Sequence, residues 1–278
     1  AAVPLPAGLS LQEACCSDGK IDCWPTGAAD CCEVLRNRAG DDPPLAFLTG
    51  ALDVHLGSRM RAQKSFNVQE SWALQSLVQE GDWVVDAGAN IGAYTLPLAH
   101  RVGMQGRVYA FEPFRILFQL LTANVALNGL ANVITRQVAL GASAAWVRAR
   151  GPDMSTYNLL SSFQVQDQGY SENVRKWTMK HSEEVEDIEV ATLDAYAPVL
   201  RRLDLLKIDV EDMELDVIMG ARQLLARHRP KVWVENAKLF ENGDQAFMQG
   251  MAQLGYQCDV FPGMDWELLC LFQEGAAR

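Results

Sequence analysis

The sequence lacks long uninterrupted apolar runs and has no excess of basic residues. Its longest apolar stretches are about the length of a strand and are broken by charged residues, so we predict no membrane span. Lys and Arg number 24 against 35 Asp and Glu, which gives a formal net charge of −11. This acidic balance disfavours the phosphate backbone of a nucleic acid as the main partner. Oligomeric state leaves no signature in the sequence.

Cysteines are scarce outside the beginning of the chain. Five of the seven lie within the first 32 residues, and the other two are Cys258 and Cys270. They form no regular C-x-x-C pair, which disfavours a zinc site. Disulfides in an oxidising, secretory compartment and free thiols in the cytoplasm are both compatible with this pattern. The sequence therefore leaves the compartment open.

Length and composition predict two regions. Residues 1–60 are rich in Pro, Gly, Ala and Cys and include the turn Asp41-Asp42-Pro43-Pro44, which indicates an irregular Cys-rich extension. This extension either covers the substrate end of the core as an arm or wraps its surface. Residues 61–278 have the size and the 49% hydrophobic content overall that suit one large α/β domain.

From about residue 65 the sequence alternates between helix-like and strand-like segments, which predicts a parallel sheet with right-handed crossovers. The polar stretch 151–182 interrupts this order and is typical of a lid or binding loop. Thr192 is positioned to cap a short helix, and Pro262-Gly263 indicates a terminal hairpin. The predicted strands are 83–86, 107–111, 133–138, 188–191, 203–210 and 231–234, and the predicted helices are 68–79, 93–102, 116–127, 213–227 and 244–254.

The most informative stretch is Asp82–Gly92, which reads DWVVDAGANIG. An apolar strand ends in Asp86, and Gly88, Asn90 and Gly92 follow at alternate positions before a helix. This pattern is typical of a buried parallel strand that enters a tight turn and then a helix N-terminus. Small residues in such a turn let the backbone approach another backbone or a ligand closely.

Acidic residues follow the predicted strands at the edge where open α/β sheets bind ligands. They are Asp86, Glu112, Asp209 and Glu235. Glu112 lies 24 residues beyond Gly88 (112 − 88), at the end of the second strand, where a carboxylate can accept hydrogen bonds from both ribose hydroxyls. The turn reads D-x-G-x-N-x-G instead of the dinucleotide pattern G-x-G-x-x-G. An acid at the start of the turn repels a pyrophosphate and favours a sulfonium nucleoside, S-adenosylmethionine, over NAD.

Five collinear segments then resemble one family. VVDAGANIGAYT, VYAFEP, LTANVALNGLANV, TLDAY and DLLKIDVEDMELDVIMGA are similar to the FkbM-type methyltransferases, a branch of the class I S-adenosylmethionine-dependent superfamily. The likeness runs from about Glu70 to Phe272. It implies a Rossmann-like sheet of seven strands, the last of them antiparallel, with helices on both faces. It also implies methyl transfer to an oxygen of a sugar or another small molecule.

The resemblance implies a cofactor site when the family's binding residues are carried over to the matching positions of this sequence. Asp86, Gly88, Asn90 and Gly92 would line the methionine and ribose part, together with Glu70 and Asp209. Glu112 would hold the ribose hydroxyls. The residues that would border the adenine are Pro113, Phe114, Gln137, Val138 and Ala139. Phe114 departs from the Asn usual in the family, and Asp212-Met213 replaces the usual Gly-Ala.

Methyl transfer to a hydroxyl needs a group that takes the proton. The candidate catalytic residues are Asp209, Glu235 and His181, the last of which lies in the irregular insertion. A second interpretation places Mg²⁺ on Asp209, Glu235 and Asn236, a set similar to the metal site of catechol-type O-methyltransferases. The simpler interpretation is that Asp209 binds cofactor while Glu235 and Asn236 bind substrate directly.

We therefore expect a methyltransferase that acts on a small-molecule or glycan acceptor. Two alternatives remain at this point. One is a catalytically silent module that keeps the nucleotide pocket, and the other is an NAD-dependent oxidoreductase.

Overall fold

A computed structural model describes residues 20–22, 31–36, 45–50, 60, 67–152, 181–236, 238 and 243–274. Most of the predicted Cys-rich extension and residues 153–180 of the predicted lid lie outside this part of the chain. The strands are β1 (Lys20–Asp22), β2 (Cys31–Arg36), β3 (Ala46–Gly50), β4 (Trp83–Ala87), β5 (Arg107–Phe111), β6 (Val133–Arg136), β7 (Ala139–Leu140), β8 (Ala145–Pro152), β9 (His181–Ala191), β10 (Leu205–Ile208), β11 (Lys231–Glu235), β12 (Tyr256–Val260) and β13 (Glu267–Phe272). The α-helices are α1 (Val68–Ser76), α2 (Thr95–Val102), α3 (Arg115–Leu127), α4 (Glu214–Met219), α5 (Arg222–His228) and α6 (Gln245–Gln253).

Seven strands form the central sheet in the order β12-β13-β11-β10-β4-β5-β6. The strands from β11 to β6 pair in parallel, whereas β13 runs antiparallel to both β11 and β12. The predicted seven-stranded sheet with an antiparallel last strand is therefore confirmed. After β6 the chain returns to the other side of β4, so the strand order reverses between β4 and β10.

The sheet is the core of the molecule because its strands are apolar over nearly their whole length. All four residues of β10 are buried, as are four of the five in β4 and in β5. Trp233 of β11 is completely buried, as expected for a tryptophan within a central strand. The side chains of the helices close both faces, since separate clusters of buried side chains form on α2 and on α4, α5 and α6.

The terminal hairpin is also confirmed. Strands β12 and β13 pair in register, with Cys258 directly opposite Cys270. These two cysteines form a disulfide. The pair that lies outside the cysteine-rich beginning of the chain thus joins the two strands at one edge of the sheet.

The predicted helix 213–227 is wrong in one respect, because it is two helices. Helix α4 ends at Met219, and α5 begins at Arg222. A Cβ on Gly220 would stand 2.0 Å from the carbonyl oxygen of Gly141, so the chain passes too close to a neighbouring backbone for any side chain. Asp194 then accepts hydrogen bonds from the backbone N–H groups of Gln223 and Leu224 and caps the new helix.

A smaller sheet in the order β7-β9-β8 occupies the region predicted as one short strand and a polar loop. Strand β9 covers 181–191 instead of 188–191, and it pairs antiparallel with β8. The predicted short helix follows as a 3₁₀ turn at Leu193–Tyr196, and the Thr192 side chain accepts from the N–H of Ala195. The predicted cap is confirmed.

The described part of the N-terminal region packs into the core. Leu45, Phe47 and Met60 are buried in one cluster with residues of α2 and α3, among them Leu96 and Leu117. The predicted boundary at residue 60 stays a prediction, and these described residues on its N-terminal side pack in one cluster with residues beyond it. Of the helices that the structure describes, none combines the length and the apolar character needed to cross a membrane.

Candidate functional site

The carboxyl ends of four adjacent strands bring the predicted site residues together. Ala87 of β4 pairs with Ile208 of β10 on one side and with Phe111 of β5 on the other. Gly88, Asp209 and Glu112 follow these residues directly, so they lie side by side. Ile208 in turn pairs with Val234, which places Glu235 beside Asp209. This edge is where the strand order reverses, the expected place for a ligand in an open α/β sheet.

A cavity opens at this edge. The glycine turn, the segment after β5, strand β7 and the segment after β10 surround it. Its lining is Gly88, Asn90, Phe111, Glu112, Pro113, Phe114, Leu117, Val138, Ala139, Leu140, Asp209, Val210 and Glu211. The lining combines apolar side chains with the acids Glu112, Asp209 and Glu211, which suits a ligand with a flat apolar part and a polar or cationic part.

Backbone geometry explains the residue types of the turn. Gly88 has a φ of 77°, and a Cβ there would stand 1.7 Å from the carbonyl oxygen of Asp209. The glycine is therefore required by the approach of two strand ends, before any ligand is considered. Asn90 also adopts a left-handed conformation, with a φ of 51°, and its side-chain oxygen accepts from the N–H of Ile91. Gly92 packs against Leu96 instead of lining the cavity.

Glu112 is buried and holds two backbone segments. Its carboxylate accepts from the N–H of Asn90 at 2.8 Å and from the N–H of Phe114 at 3.0 Å. Burial raises the pKa of Glu112 to about 7, although these two hydrogen bonds oppose the rise. Each carboxylate oxygen keeps a second lone pair for a ligand hydroxyl. The residue predicted as a ribose clamp thus also fixes the turn that lines the cavity.

Asp86 lies one step behind the cavity. It is completely buried, accepts from the Thr95 hydroxyl at 2.6 Å and lies 3.2 Å from the ammonium of Lys207. Lys207, 1% exposed, also lies 3.3 Å from Asp209 and donates to the Gly88 carbonyl oxygen. Burial alone would lower the pKa of Lys207, but Asp86 and Asp209 outweigh it and raise the pKa. The negative charge of Asp86, which the sequence predicts to face a sulfonium ligand, is therefore neutralised by Lys207 inside the protein.

Glu70 comes from helix α1 and is 2% exposed. It accepts hydrogen bonds from the Tyr94 hydroxyl and from the Asn67 amide. Burial raises the pKa of Glu70 to about 7, and the charge of Lys207 acts in the opposite direction. Glu70 lies outside the lining of the cavity, close enough to influence its charges. Tyr94, at the start of α2, was not among the predicted residues, although it lies within the motif IGAYT.

Asp209 and Glu235 form the acidic end of the site. The charge of Asp209, followed by burial, raises the pKa of Glu235 to about 9. Partial desolvation and the charges of Asp209 and Glu214 also raise the pKa of Glu211, although this residue is exposed. The charge of Asp209 thus opposes the ionisation of both neighbouring carboxyls.

The segment after β10 is strained. Glu211 and Asp212 both have left-handed conformations, with φ of 54° and 79°. Asp212 is held by Lys238, 3.1 Å from its carboxylate, and by its own N–H, which donates to Glu214. Phe114, which replaces the usual Asn, is buried and lines the cavity.

The remaining predicted residues are distributed as follows. Pro113 and Val138 line the cavity, whereas Gln137 is exposed beside it. His181 is the first residue of β9, opposite Pro152 of β8. Its assignment as a catalytic residue stays a prediction.

The predicted magnesium site is not supported. Asn236 is buried and donates from its amide to Asp244 at 3.2 Å, so this amide is directed to helix α6. Within the described ranges, no three His, Cys, Asp or Glu side chains are grouped so that they could hold a metal ion. Asp209 and Glu235 instead form an acidic pair in which the charge of Asp209 raises the pKa of Glu235.

The strand order, the glycine turn at its reversal and the cavity lined by acidic and apolar side chains define a Rossmann-like protein of the class I methyltransferase type. A family model described as the methyltransferase FkbM domain matches residues 86–258, well over half of the chain. The chain belongs to the FkbM methyltransferase family.

Two curated relatives are similar over half of the chain. Methyltransferase sdnD of Sordaria araneosa is 33% identical over 156 residues, which cover 50% of this chain and 60% of that protein. Methyltransferase 1 of Beauveria bassiana (strain ARSEF 2860) is 29% identical over 147 residues, 51% of this chain and 59% of that protein. The chain thus matches about three fifths of the length of these relatives.

Among solved structures, the methyltransferase FkbM from Methylobacillus flagellatus KT is 18% identical and covers 69% of this chain and 43% of that chain, with a TM-score of 0.44. A methyltransferase from Geobacter sulfurreducens is 15% identical and covers 78% of this chain and 83% of that chain, with a TM-score of 0.46.

Proposed function

We propose that this protein transfers a methyl group from S-adenosylmethionine to a hydroxyl oxygen of a sugar or another small molecule. The observation that carries the proposal is the cavity at the strand-order reversal, with Glu112 at one end and Asp209 at the other. The family membership supports the methyl transfer, and the resemblance stated from the motifs supports oxygen as the acceptor.

The chemistry of the cavity fits the proposed cofactor. Glu112 would take the ribose hydroxyls, and the apolar side chains of Phe114, Leu117 and Val138 would border the adenine. Asp209 and its acidic neighbours would hold the ammonium and sulfonium end, since Lys207 is shared with Asp86 and the pKa values of Glu211 and Glu235 stay raised beside Asp209. Bound there, the cofactor supplies an electrophilic methyl group.

Glu235 would accept the proton of the acceptor hydroxyl. A carboxyl with a raised pKa is a stronger base once it is ionised. Asp209 keeps Glu235 protonated while the site contains no added positive charge, because the two carboxyls repel each other's ionisation. A positive charge beside Asp209 relieves this repulsion and lowers the pKa of Glu235 towards neutrality. The base would thus be ionised only when the donor site is filled.

Titration calorimetry tests the donor. We expect S-adenosylhomocysteine to bind with measurable heat and NAD to give none. Absence of heat with S-adenosylhomocysteine would overturn the proposal, and heat with NAD alone would favour an oxidoreductase. A methyl acceptor is then sought with isotope-labelled S-adenosylmethionine against panels of sugars, phenols and carboxylates. Binding without transfer to any of them would leave a catalytically silent module.

Glu235→Gln tests the base. We expect the turnover number to fall by about 10² to 10⁴, the usual contribution of general base catalysis, with an affinity for S-adenosylhomocysteine within a few-fold of the wild type. Asp209→Asn is the comparison, because it should weaken both affinity and turnover. Full activity of Glu235→Gln would remove Glu235 from the mechanism and direct attention to His181.

A further inference from the structure

Asn124 of helix α3 links three parts of the molecule through one side chain. It is completely buried. Its amide nitrogen donates to the carbonyl oxygen of Ile91 at 2.8 Å and to that of Leu48 at 3.1 Å. Its amide oxygen accepts from the N–H of Leu48. One amide group therefore holds the glycine turn after β4 and the N-terminal strand β3 on the same helix.

The carbonyl that Asn124 holds belongs to the turn that lines the cavity. Ile91 follows Asn90, whose left-handed conformation directs its N–H to the Glu112 carboxylate. The side chain of Ile91 is completely buried against Phe47 of β3 and other residues of one cluster. A change in the position of the Ile91 carbonyl would therefore be transmitted to Asn90 and to the hydrogen bond that fixes Glu112.

Asn128 provides a natural comparison one helical turn later. Its amide donates to the carbonyl oxygen of Ala46 at 2.7 Å and accepts from the N–H of Ala46 at 2.8 Å. It also donates to the Asn124 carbonyl of its own helix. Asn128 thus binds β3 in the same way that Asn124 does, but its amide makes no hydrogen bond to the glycine turn among the described residues. A comparison of the two asparagines therefore distinguishes the attachment of strand β3 from the support of the glycine turn.

We propose that Asn124 is a positioning residue for the cofactor cavity. It holds the turn at 88–92 in the conformation that Glu112 requires, and it couples this turn to the docking of strand β3. The ligand of the cavity rests on the proposed function, whereas the coupling of strand and turn does not. The predicted N-terminal extension therefore takes part in the site through Asn124, at a distance from the reacting atoms.

The first test compares Asn124→Ala with Asn128→Ala. Each variant loses one pair of hydrogen bonds to β3, and only the first also releases Ile91. We expect Asn124→Ala to weaken S-adenosylhomocysteine binding at least tenfold and Asn128→Ala to change it less than twofold. Amide exchange measured by NMR without ligand should quicken at Asn90 in the first variant alone. Equal effects of both variants, or none of either, would overturn the proposal.

Asn124→Ser is measured in parallel. Its hydroxyl can keep one of the two hydrogen bonds that the Asn124 amide donates, and it is the substitute variant if Asn124→Ala does not fold. Its affinity should lie between those of the wild type and the alanine variant. A serine variant that binds as well as the wild type would contradict the proposal.

A measurement on the unaltered protein completes the test. Coupling between sites is reciprocal, so a ligand that orders the glycine turn must also stabilise the hydrogen bonds between Asn124 and Leu48 of β3. Binding of S-adenosylhomocysteine should slow amide exchange at Leu48 more than at Ala46. Equal protection of both amides on binding would contradict the coupling. Failure of the ligand to bind at all would instead refute the proposed function and leave the exchange comparison of the variants intact.

Discussion

At the scale of single residues, the site shows charged side chains that serve structure and ligand at once. Glu112 fixes two backbone segments and still faces the cavity. Lys207 neutralises Asp86 and leaves Asp209 only partly compensated. A ligand would thus meet only the negative charge that Lys207 leaves uncompensated. The motif alone does not show which carboxylate carries that charge.

Glu112→Ala should weaken binding of S-adenosylhomocysteine by about 2 kcal/mol, or roughly 30-fold, in titration calorimetry. This is the typical cost of losing hydrogen bonds to a charged group, and here the turn at Asn90 loses its anchor as well. Glu80→Ala, an exposed acid before β4 at the opposite end of the strands, is the control and should leave affinity unchanged. Unchanged affinity in a folded Glu112→Ala protein would show that the cavity does not take a ribose.

At the scale of elements, short contacts decide where helices and strands end. The segment predicted as one helix is interrupted at Gly220, because its carbonyl oxygen accepts from the N–H of Asp194 while the Asp194 carboxylate caps the next helix. At the edge of the sheet, the strands β12 and β13 carry the disulfide between Cys258 and Cys270. This bridge closes a short loop around the predicted turn at Pro262-Gly263, so it restrains the unfolded chain locally.

Removal of this disulfide should lower the free energy of unfolding by about 2 to 3 kcal/mol, the range for a loop of this length. The measurement is urea denaturation of Cys258→Ser/Cys270→Ser against the wild type. Reductant should destabilise the wild type more than the double variant, and the difference isolates this bridge from any effect of the N-terminal cysteines. Equal stability of the two oxidised proteins would show that the bridge adds nothing to the hairpin.

At the scale of the whole molecule, several buried carboxyls make the stability of the fold depend on pH. Burial raises the pKa of Glu70, Glu112 and Glu214 to about 7, and repulsion by Asp209 with burial raises that of Glu235 to about 9. The unfolded values lie near 4.5, so folding takes up protons. Their stabilising contribution is complete below the unfolded pKa and is lost as pH rises through the folded values.

The protein should therefore lose at least about 1 kcal/mol of unfolding free energy between pH 6 and pH 9, since one unit of pKa shift corresponds to about 1.4 kcal/mol. Urea denaturation across this range measures the loss. Glu235→Gln should flatten the decline between pH 7 and pH 9, because an amide cannot ionise beside Asp209. A stability that rises with pH would mean that these carboxyls are compensated in the folded protein.

The sequence by itself determined the order of the strands along the chain, the terminal hairpin, the Thr192 cap and the family. These features depend on local patterns, such as apolar runs of strand length, a turn at Pro262-Gly263 and five motifs in a fixed order. Local patterns record the conformation of neighbouring residues, and they are readable without the fold.

Only the tertiary structure decided the rest, because distant segments determine it. The break at Gly220 depends on Asp194, and the neutralisation of Asp86 depends on Lys207, more than a hundred residues away. The attachment of β3 to the glycine turn depends on Asn124, whose motif predicts only a helix. Burial and electrostatic pairing arise from proximity in space, and no periodicity within a single segment encodes them.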